Sequence, residues 1–251
     1  MAGVTPGAGF FARRSPTAYR NGMRELLDGD LLAPDELAGN LREIRLINKG
    51  LGWTAATLHI MERVTRAAEL RTFSHLDIAT GSGDLPLAVL RRGKRRGWKV
   101  DAHALDANQE VLDVARRHIG AEPVTLHEGD ARALPFASRS FDVVTCALAL
   151  HHFEPHDAAL VLSELERVAR RAWIVVDIER GFPAYLGARV LRVVLRNRLT
   201  RHDAPASVLR AYSLPEFRDL LTTAAIPWQV AAAQFPFRLV GYGLVASESG
   251  S

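Results

Sequence analysis

Apolar positions along the chain keep two rhythms, and one gives way to the other near residue 70. From Thr17 to about Leu70 the apolar residues Leu26, Leu27, Leu31, Leu32, Leu37, Leu41, Ile44, Ile47 and Leu51 recur near a 3.6-residue period, broken at Gly29 and Pro34. A second helical stretch runs from Trp53 to Ala68. Beyond it, short apolar runs alternate with helical patterns. Leu76, Ile78 and Ala79 lead into a helix bearing Leu85, Leu87, Ala88 and Leu90. The alternating run KVDAHAL ends at Asp106 and precedes a helix with Val111, Leu112 and Ala115 inward. Residues 124–127 and 141–147 read as strands, and 157–170 as an amphipathic helix capped by Asp157. AWIVVDI, residues 172–178, is the near-continuous apolar run of a strand covered on both faces. An Arg-rich amphipathic helix follows over 184–199, then RHDAPASVLRAYS, a helix over 215–225, and strands over 228–235 and 237–245. Strands alternating with helices predict an α/β fold around a mostly parallel sheet.

Composition narrows the class. At 251 residues, 48% apolar and 24% charged, the chain suits one soluble α/β domain with a modest addition. The net charge of +4 comes mostly from arginine. The basic run Arg91, Arg92, Lys94, Arg95 and Arg96 closes the first helix of the α/β region, where cations complement the helix dipole. No aromatic residues alternate with it, so it reads as a solvated helix end, and nucleic acid is not expected as a partner. A single cysteine, Cys146, rules out an intrachain disulfide framework and suits a reducing compartment. No apolar run reaches the roughly 18 residues of a membrane span. The opening MAGVTPGAGFFARRSP lacks the apolar core of a signal peptide. The expectation is a cytoplasmic protein, flexible over residues 1–16 and 247–251, with a helical extension over 17–70.

The candidate chemistry gathers at HLDIATGSGDLPLAVL, residues 75–90, where a strand, a glycine turn and a helix start follow one another. Gly81 and Gly83 let a ligand approach the backbone, and the helix beginning near Asp84 offers free N–H groups. A dinucleotide loop reads GxGxxG, but Pro86 stands where its third glycine belongs. Asp77 lies on the strand, four residues before Gly81. Asp106 ends the next strand, where a carboxylate can accept two hydroxyl protons from a ribose. Further on come Gly129-Asp130-Ala131 and, after Pro135-Phe136, the run Phe141-Asp142-Val143-Val144.

These four features in this order resemble class I S-adenosylmethionine-dependent methyltransferases. DIATGSG is similar to their D/E-x-G-x-G-x-G signature, with Ala79 in place of the first glycine, a departure shared with quinone-ring methyltransferases. The resemblance covers residues 76 to about 178. It implies a Rossmann-like seven-stranded, mostly parallel sheet with an antiparallel last strand, within a methyltransferase domain over 71–246 that carries an inserted lid helix over 183–213. It implies that S-adenosylmethionine is held by Asp77, Ala79, Thr80, Gly81, Gly83, Asp106, Ala107, Gly129, Asp130, Ala131, Cys146 and Ala147, and leaves as S-adenosylhomocysteine. In that family the acid at the Asp130 position accepts from the adenine amino group.

The acceptor side is read from residue types. If the acceptor is a phenol or enol, a general base helps, and histidine titrates near neutrality. His151 and His152 follow the fourth strand, where the acceptor is expected, and either one also reads as a structural turn residue. Asn48, His202, Arg210 and Tyr212 are candidate acceptor contacts. An Asn/Asp-Pro-Pro-Tyr/Phe turn, expected of nucleic-acid amino methylation, is replaced by CALALHHF, and only Glu154 stands where protein arginine methylation needs two glutamates. A small hydrophobic acceptor remains, with O-methylation of a phenolic or enolic product as the leading expectation and ring C-methylation of a quinone-like or polyketide-like substrate beside it. A non-catalytic S-adenosylmethionine-binding protein is the reading from another class. No clustered carboxylate and histidine set is visible, so no metal is expected. The helix over 184–199, with Arg189, Arg192, Arg196, Arg198 and Arg201 in or just beyond it, reads either as a lid or as a membrane-surface helix without stable insertion. A monomer or homodimer is expected.

Overall fold

The computed structural model describes residues 16–18, 20, 23, 25–28 and 33–245. The break expected at Gly29 and, apart from Pro16, the stretches 1–16 and 247–251 lie outside the described residues. A 3-10 turn, Leu26–Asp28, precedes helices α1 (Pro34–Gly50) and α2 (Trp53–Ala67). Then come β1 (Thr72–Ile78), α3 (Asp84–Arg96), β2 (Lys99–Asp106), α4 (Gln109–Ile119), β3 (Val124–Glu128) and β4 (Phe141–Ala147). After α5 (Pro155–Val168) and β5 (Ala169–Ile178) the chain forms α6 (Phe182–Leu191), α7 (Arg198–Arg210) and α8 (Leu214–Thr223), and ends in β6 (Val230–Gln234) and β7 (Arg238–Leu244).

The strands make one sheet in the order β3-β2-β1-β4-β5-β7-β6. The first five pair in parallel, and β7 runs antiparallel to both β5 and β6. Both faces are covered, as the apolar runs require. On β5, Trp173 and Val175 join the core under α5 and α8, while Ala172, Ile174 and Val176 join the core under α2 and α3. That is the period of two expected of a central strand. Trp173 is fully buried, and the glycines opposite make room for it: a Cβ on Gly243 would lie 2.4 Å from its Nε1.

Local signals set most helix ends. Asn108 caps α4, its side chain accepting from the N–H groups of Glu110 and Val111. Ser213 and Glu216 form a capping box at α8. Two expectations are corrected. The cap of α5 is Glu154, with Pro155 at the first helical position; Asp157 sits in the first turn and bonds Arg132 at 2.9 Å. The single helix expected over 184–199 is two helices, and RHDAPASVLRAYS is helical as far as Arg210. The chain breaks because Glu43 on α1 accepts from the N–H groups of Arg196 and Asn197, while the Asn197 side chain caps α7.

The sheet order reverses between β1 and β4, the switch point where open α/β sheets bind ligands outside the strand carboxyl ends. Here the chain leaves β1 through Ala79 at φ +53°, a left-handed backbone for a residue with a Cβ. That conformation costs an L residue about 1–2 kcal/mol, offset in part by the extra unfolded-state freedom that glycine brings. Ala79→Gly is therefore expected to stabilise the fold by ~0.5–1 kcal/mol, read as a raised urea midpoint at unchanged slope.

Candidate functional site

A cavity of about 1240 Å³ opens at this switch point. Its floor is the loops after β1, β2 and β4; its walls include Leu41, Ile44, Ile47 and Asn48 of α1, Ala184, Gly187, Ala188 and Leu191 of α6, and Ser207 and Val208 of α7. Single small-ligand pockets run to about 1,000 Å³, so this one has room for two ligands side by side.

The end under β1 and β2 is acidic. Asp77 is almost fully buried and accepts from the Thr80 and Thr145 hydroxyls, each at 2.7 Å. Thr145 has one proton to give, so it receives its 2.9 Å contact from the Nε2–H of buried His75. Burial holds His75 neutral, its pKa lowered to about 3, and its Nδ1 has no hydrogen-bond partner among the described residues. Burial also pushes Asp77 up to about 7, with the Asp84 and Asp106 charges adding to it. Asp106, raised mainly by burial, accepts from the N–H groups of Gly81 at 3.0 Å and Asn108 at 3.2 Å. Two adjacent acids that resist ionisation call for a ligand bringing hydroxyl donors and positive charge.

Beside them, Gly129 carries no side chain because a Cβ would crowd Leu105 at 3.0 Å and Pro135 at 3.2 Å. Both Asp130 oxygens are gripped by Arg132, Nε to Oδ1 at 3.0 Å and Nη2 to Oδ2 at 2.7 Å, which holds the carboxyl low. This pairing is absent from the sequence expectation for Asp130.

At the other end, the turn after β4 presents two histidines. His151 is buried, and its Nδ1–H donates to Asp177 Oδ1 at 2.6 Å while its backbone N–H donates to Asp177 Oδ2 at 2.9 Å. With Nδ1 so committed, Nε2 is the ring nitrogen turned toward Glu25, 3.6 Å from Oε1. His152 Nε2 lies 3.8 Å from the other Glu25 oxygen. Glu25 is itself placed from α7: Ser207 donates to it at 2.8 Å, and Asp203 accepts from the N–H groups of Leu26 and Leu27. Arg20 and Arg210 hold the turn from behind through the carbonyls of His151, His152 and Phe153. The expectation that no histidine and carboxylate set clusters is corrected, since ligand-type atoms of Glu25, His151 and His152 lie within 4.8 Å of one another.

Of the residues singled out from sequence, the fold brings Asp77, Ala79, Thr80, Gly81, Asp106, Ala107, Gly129, Asp130, Ala131, Ala147, His151, His152, Asn48 and Arg210 into this one cavity. Four lie off its wall. Gly83, at φ +71°, is the N-cap of α3 and packs on Ile119. Cys146 points into the core, because neighbours on a strand face opposite sides and Ala147 takes the cavity side; burial pushes its thiol up. Tyr212 is buried and donates to the Phe153 carbonyl at 2.7 Å. His202 is half exposed and its Nδ1 pairs with Asp203 at 2.9 Å. Arg210 borders the cavity but spends hydrogen bonds on the histidine turn. Sequence reasoning missed Glu25, Asp177, Thr145 and Arg132. Asp177 alone left a signal, an acid near the end of the otherwise apolar run AWIVVDI.

Residues 76–172 match the family model described as "Methyltransferase domain". The chain is 33% identical over 150 residues to the demethylmenaquinone methyltransferase of Deinococcus radiodurans, covering 57% of this chain and 60% of that one. It is 38% identical over 105 residues to a ubiquinone/menaquinone biosynthesis C-methyltransferase of Bradyrhizobium diazoefficiens, covering 40% and 39%. The chain thus spans at most about three fifths of these relatives. Among solved structures, a SAM dependent methyltransferase from Aquifex aeolicus superposes with a TM-score of 0.57 at 16% identity, over 86% of this chain and 100% of that one, a likeness of fold.

Proposed function

We propose that the protein, whose residues 76–172 match a methyltransferase-domain model and whose fold is that of class I methyltransferases, uses S-adenosylmethionine to methylate a ring carbon of a small phenolic, quinol-type acceptor. The observation that carries this reading is the His151–Asp177 pair, which leaves Nε2 as the ring nitrogen not bonded to Asp177, in a residue that lines the same cavity as the acidic end. The relatives' names support carbon over the oxygen that residue types alone favoured. The same pair argues against a purely binding protein, which has no use for an oriented base.

The acidic end fits the methyl donor. Asp106 would accept the ribose hydroxyls, and Asp77, Thr80 and Gly81 would face the amino-acid end. Gly129, Asp130 and Ala131 would border the adenine. When bound, S-adenosylmethionine supplies a methyl group made electrophilic by its sulfonium. His151 Nε2 takes the acceptor's ring-hydroxyl proton, so electron density moves from that oxygen onto the ring carbon. Once methylated, that carbon releases its own hydrogen as a proton to solvent while the imidazolium returns its proton to the ring oxygen, which restores the aromatic ring. Asp177 fixes the tautomer and stabilises the imidazolium that results. Ile44, Ile47 and Leu191 along the walls exclude water and position the ring, an effect worth on the order of 7–11 kcal/mol when the partners are aligned. No described helix is long and apolar enough to cross a membrane. With Cys146 the single cysteine, the reading keeps the enzyme in the reducing cytoplasm.

The test is incubation with methyl-13C donor and a panel of phenols and quinols. The expected result is a carbon-bound label by NMR; an oxygen-bound label overturns the ring-carbon claim, and no transfer to any acceptor overturns the enzyme reading.

A pH dependence follows from Asp77. Its folded value, about 7, lies above the usual carboxylate value, so the free fold holds a proton that the unfolded chain has released. Stability contributed by this site is therefore full below pH ~4 and is lost as pH rises through 7. A cationic ligand reverses the preference by favouring the ionised form. Donor affinity is expected to rise about tenfold between pH 6 and pH 8 and then level, with proton release in calorimetry. The same titration on Asp77→Asn is expected to lose most of that rise.

A further inference from the structure

We propose that the outer face of α6, with the β6–β7 turn, seats the protein on an anionic lipid surface, so that a lipophilic acceptor enters the cavity from the bilayer. The entry of the acceptor rests on the function proposed above; the surface contact does not.

The first observation is a helix that is apolar on two sides. Ala184, Gly187, Ala188 and Leu191 of α6 line the cavity. Phe182, Leu186 and Val190, spaced four apart on another face, are 52%, 53% and 64% exposed, and the stripe runs on through Val193 and Val194 at 84% and 71%. A helix apolar all round belongs in a buried setting, and contiguous exposed apolar patches mark interaction sites. Here one side already has its partner and the other faces water.

The second observation places further exposed apolar groups beside the cavity lining. Phe235 is 88% exposed in the β6–β7 turn. Its carbonyl accepts from Arg238 Nη1 at 2.7 Å, and the same guanidinium donates to the carbonyl of Leu51, an exposed leucine just beyond α1. Phe237 lines the cavity, and its carbonyl accepts from the N–H of Glu179, just before α6. Leu51, Phe237 and the inner face of α6 thus line one cavity, and Phe235 stands beside Phe237, their ring centroids 6.3 Å apart.

The third observation is charge, and it selects the occupant. No acidic residue stands between Glu179 and Asp203, whereas Arg189, Arg192, Arg196, Arg198 and Arg201 do. Only Arg198 among these is paired with a carboxylate, Glu36 at 3.0 Å, within the described residues. A second copy of this face would set arginine against arginine. Anionic headgroups over an acyl interior match both the arginines and the apolar stripe, as for interfacial amphipathic helices.

The experiment is flotation of the full chain with phosphatidylglycerol vesicles and with phosphatidylcholine vesicles at low salt, beside analytical ultracentrifugation. Wild type is expected to float with the anionic vesicles only. Leu186→Ser with Val190→Ser, and separately Arg189→Gln with Arg196→Gln, are each expected to cut that partition at least tenfold. Both double variants are expected to keep wild-type melting temperature and donor affinity, since none of these side chains lines the cavity. Wild type left at the bottom of the gradient overturns the proposal, as do variants that float like wild type. A dimer that the serine variant dissolves would assign the face to a second copy instead. Failure of donor binding would sink the proposed activity while leaving the flotation result as it stands.

Discussion

His151→Gln is expected to lower kcat by about 10²–10⁴-fold, the span that a positioned general base supplies, while donor affinity stays unchanged. The glutamine keeps bulk and polarity at the turn, but it cannot take the proton from the acceptor hydroxyl. Asp177→Asn probes the same step from behind as a positioning change. The amide keeps a single acceptor oxygen for the two bonds that His151 makes to Asp177 and brings no charge to stabilise the imidazolium, so the tautomer is no longer fixed, and the pH–rate profile is expected to lose the limb that reports the base. Because Glu25 and His152 stand close enough to share an ion, the rate is also to be measured with a chelator present. An unchanged rate is expected of a proton-transfer role. A rate abolished by the chelator and restored by a divalent cation would replace the base reading with metal ligation.

Asp106→Ala is expected to weaken donor binding by about 2 kcal/mol or more, roughly 30-fold, by calorimetric titration. Hydrogen bonds to a charged acceptor are worth about 1.5–3 kcal/mol each, and a ribose offers two hydroxyls. The truncation also strips the N–H groups of Gly81 and Asn108 of their acceptor, so the loop that faces the ligand loses its anchor. Asp106→Asn is expected to fall between the two, since it retains one acceptor oxygen. Wild-type affinity in the alanine variant would remove Asp106 from the binding site and with it the orientation of the donor in the cavity.

What the sequence determined by itself is what neighbouring residues decide among themselves. The short, largely apolar run over 141–147 and the period of 3.6 in α2 need no distant partner, and both elements fall where the pattern puts them. Asn108 caps α4 from two residues away, and Gly81 and Gly83 mark the turn because backbone at φ > 0 leaves little choice of residue. The seven-stranded order with its antiparallel β7 followed from the family resemblance rather than from any residue pattern.

Tertiary structure decided what depends on separation along the chain. Glu25 meets His151 only because Asp203 and Ser207 on α7 fix the segment that carries it. The one helix expected over 184–199 became two because Glu43, on a helix some 150 residues earlier, accepts from the backbone at the break. Which side of β4 faces the cavity, and so whether Cys146 or Ala147 lines it, was settled by the sheet's packing. The apolar stripe on α6 shows the same division. Its spacing is plain in the sequence, but which of its faces the cavity takes, and which is left to water, is a matter of what packs against it.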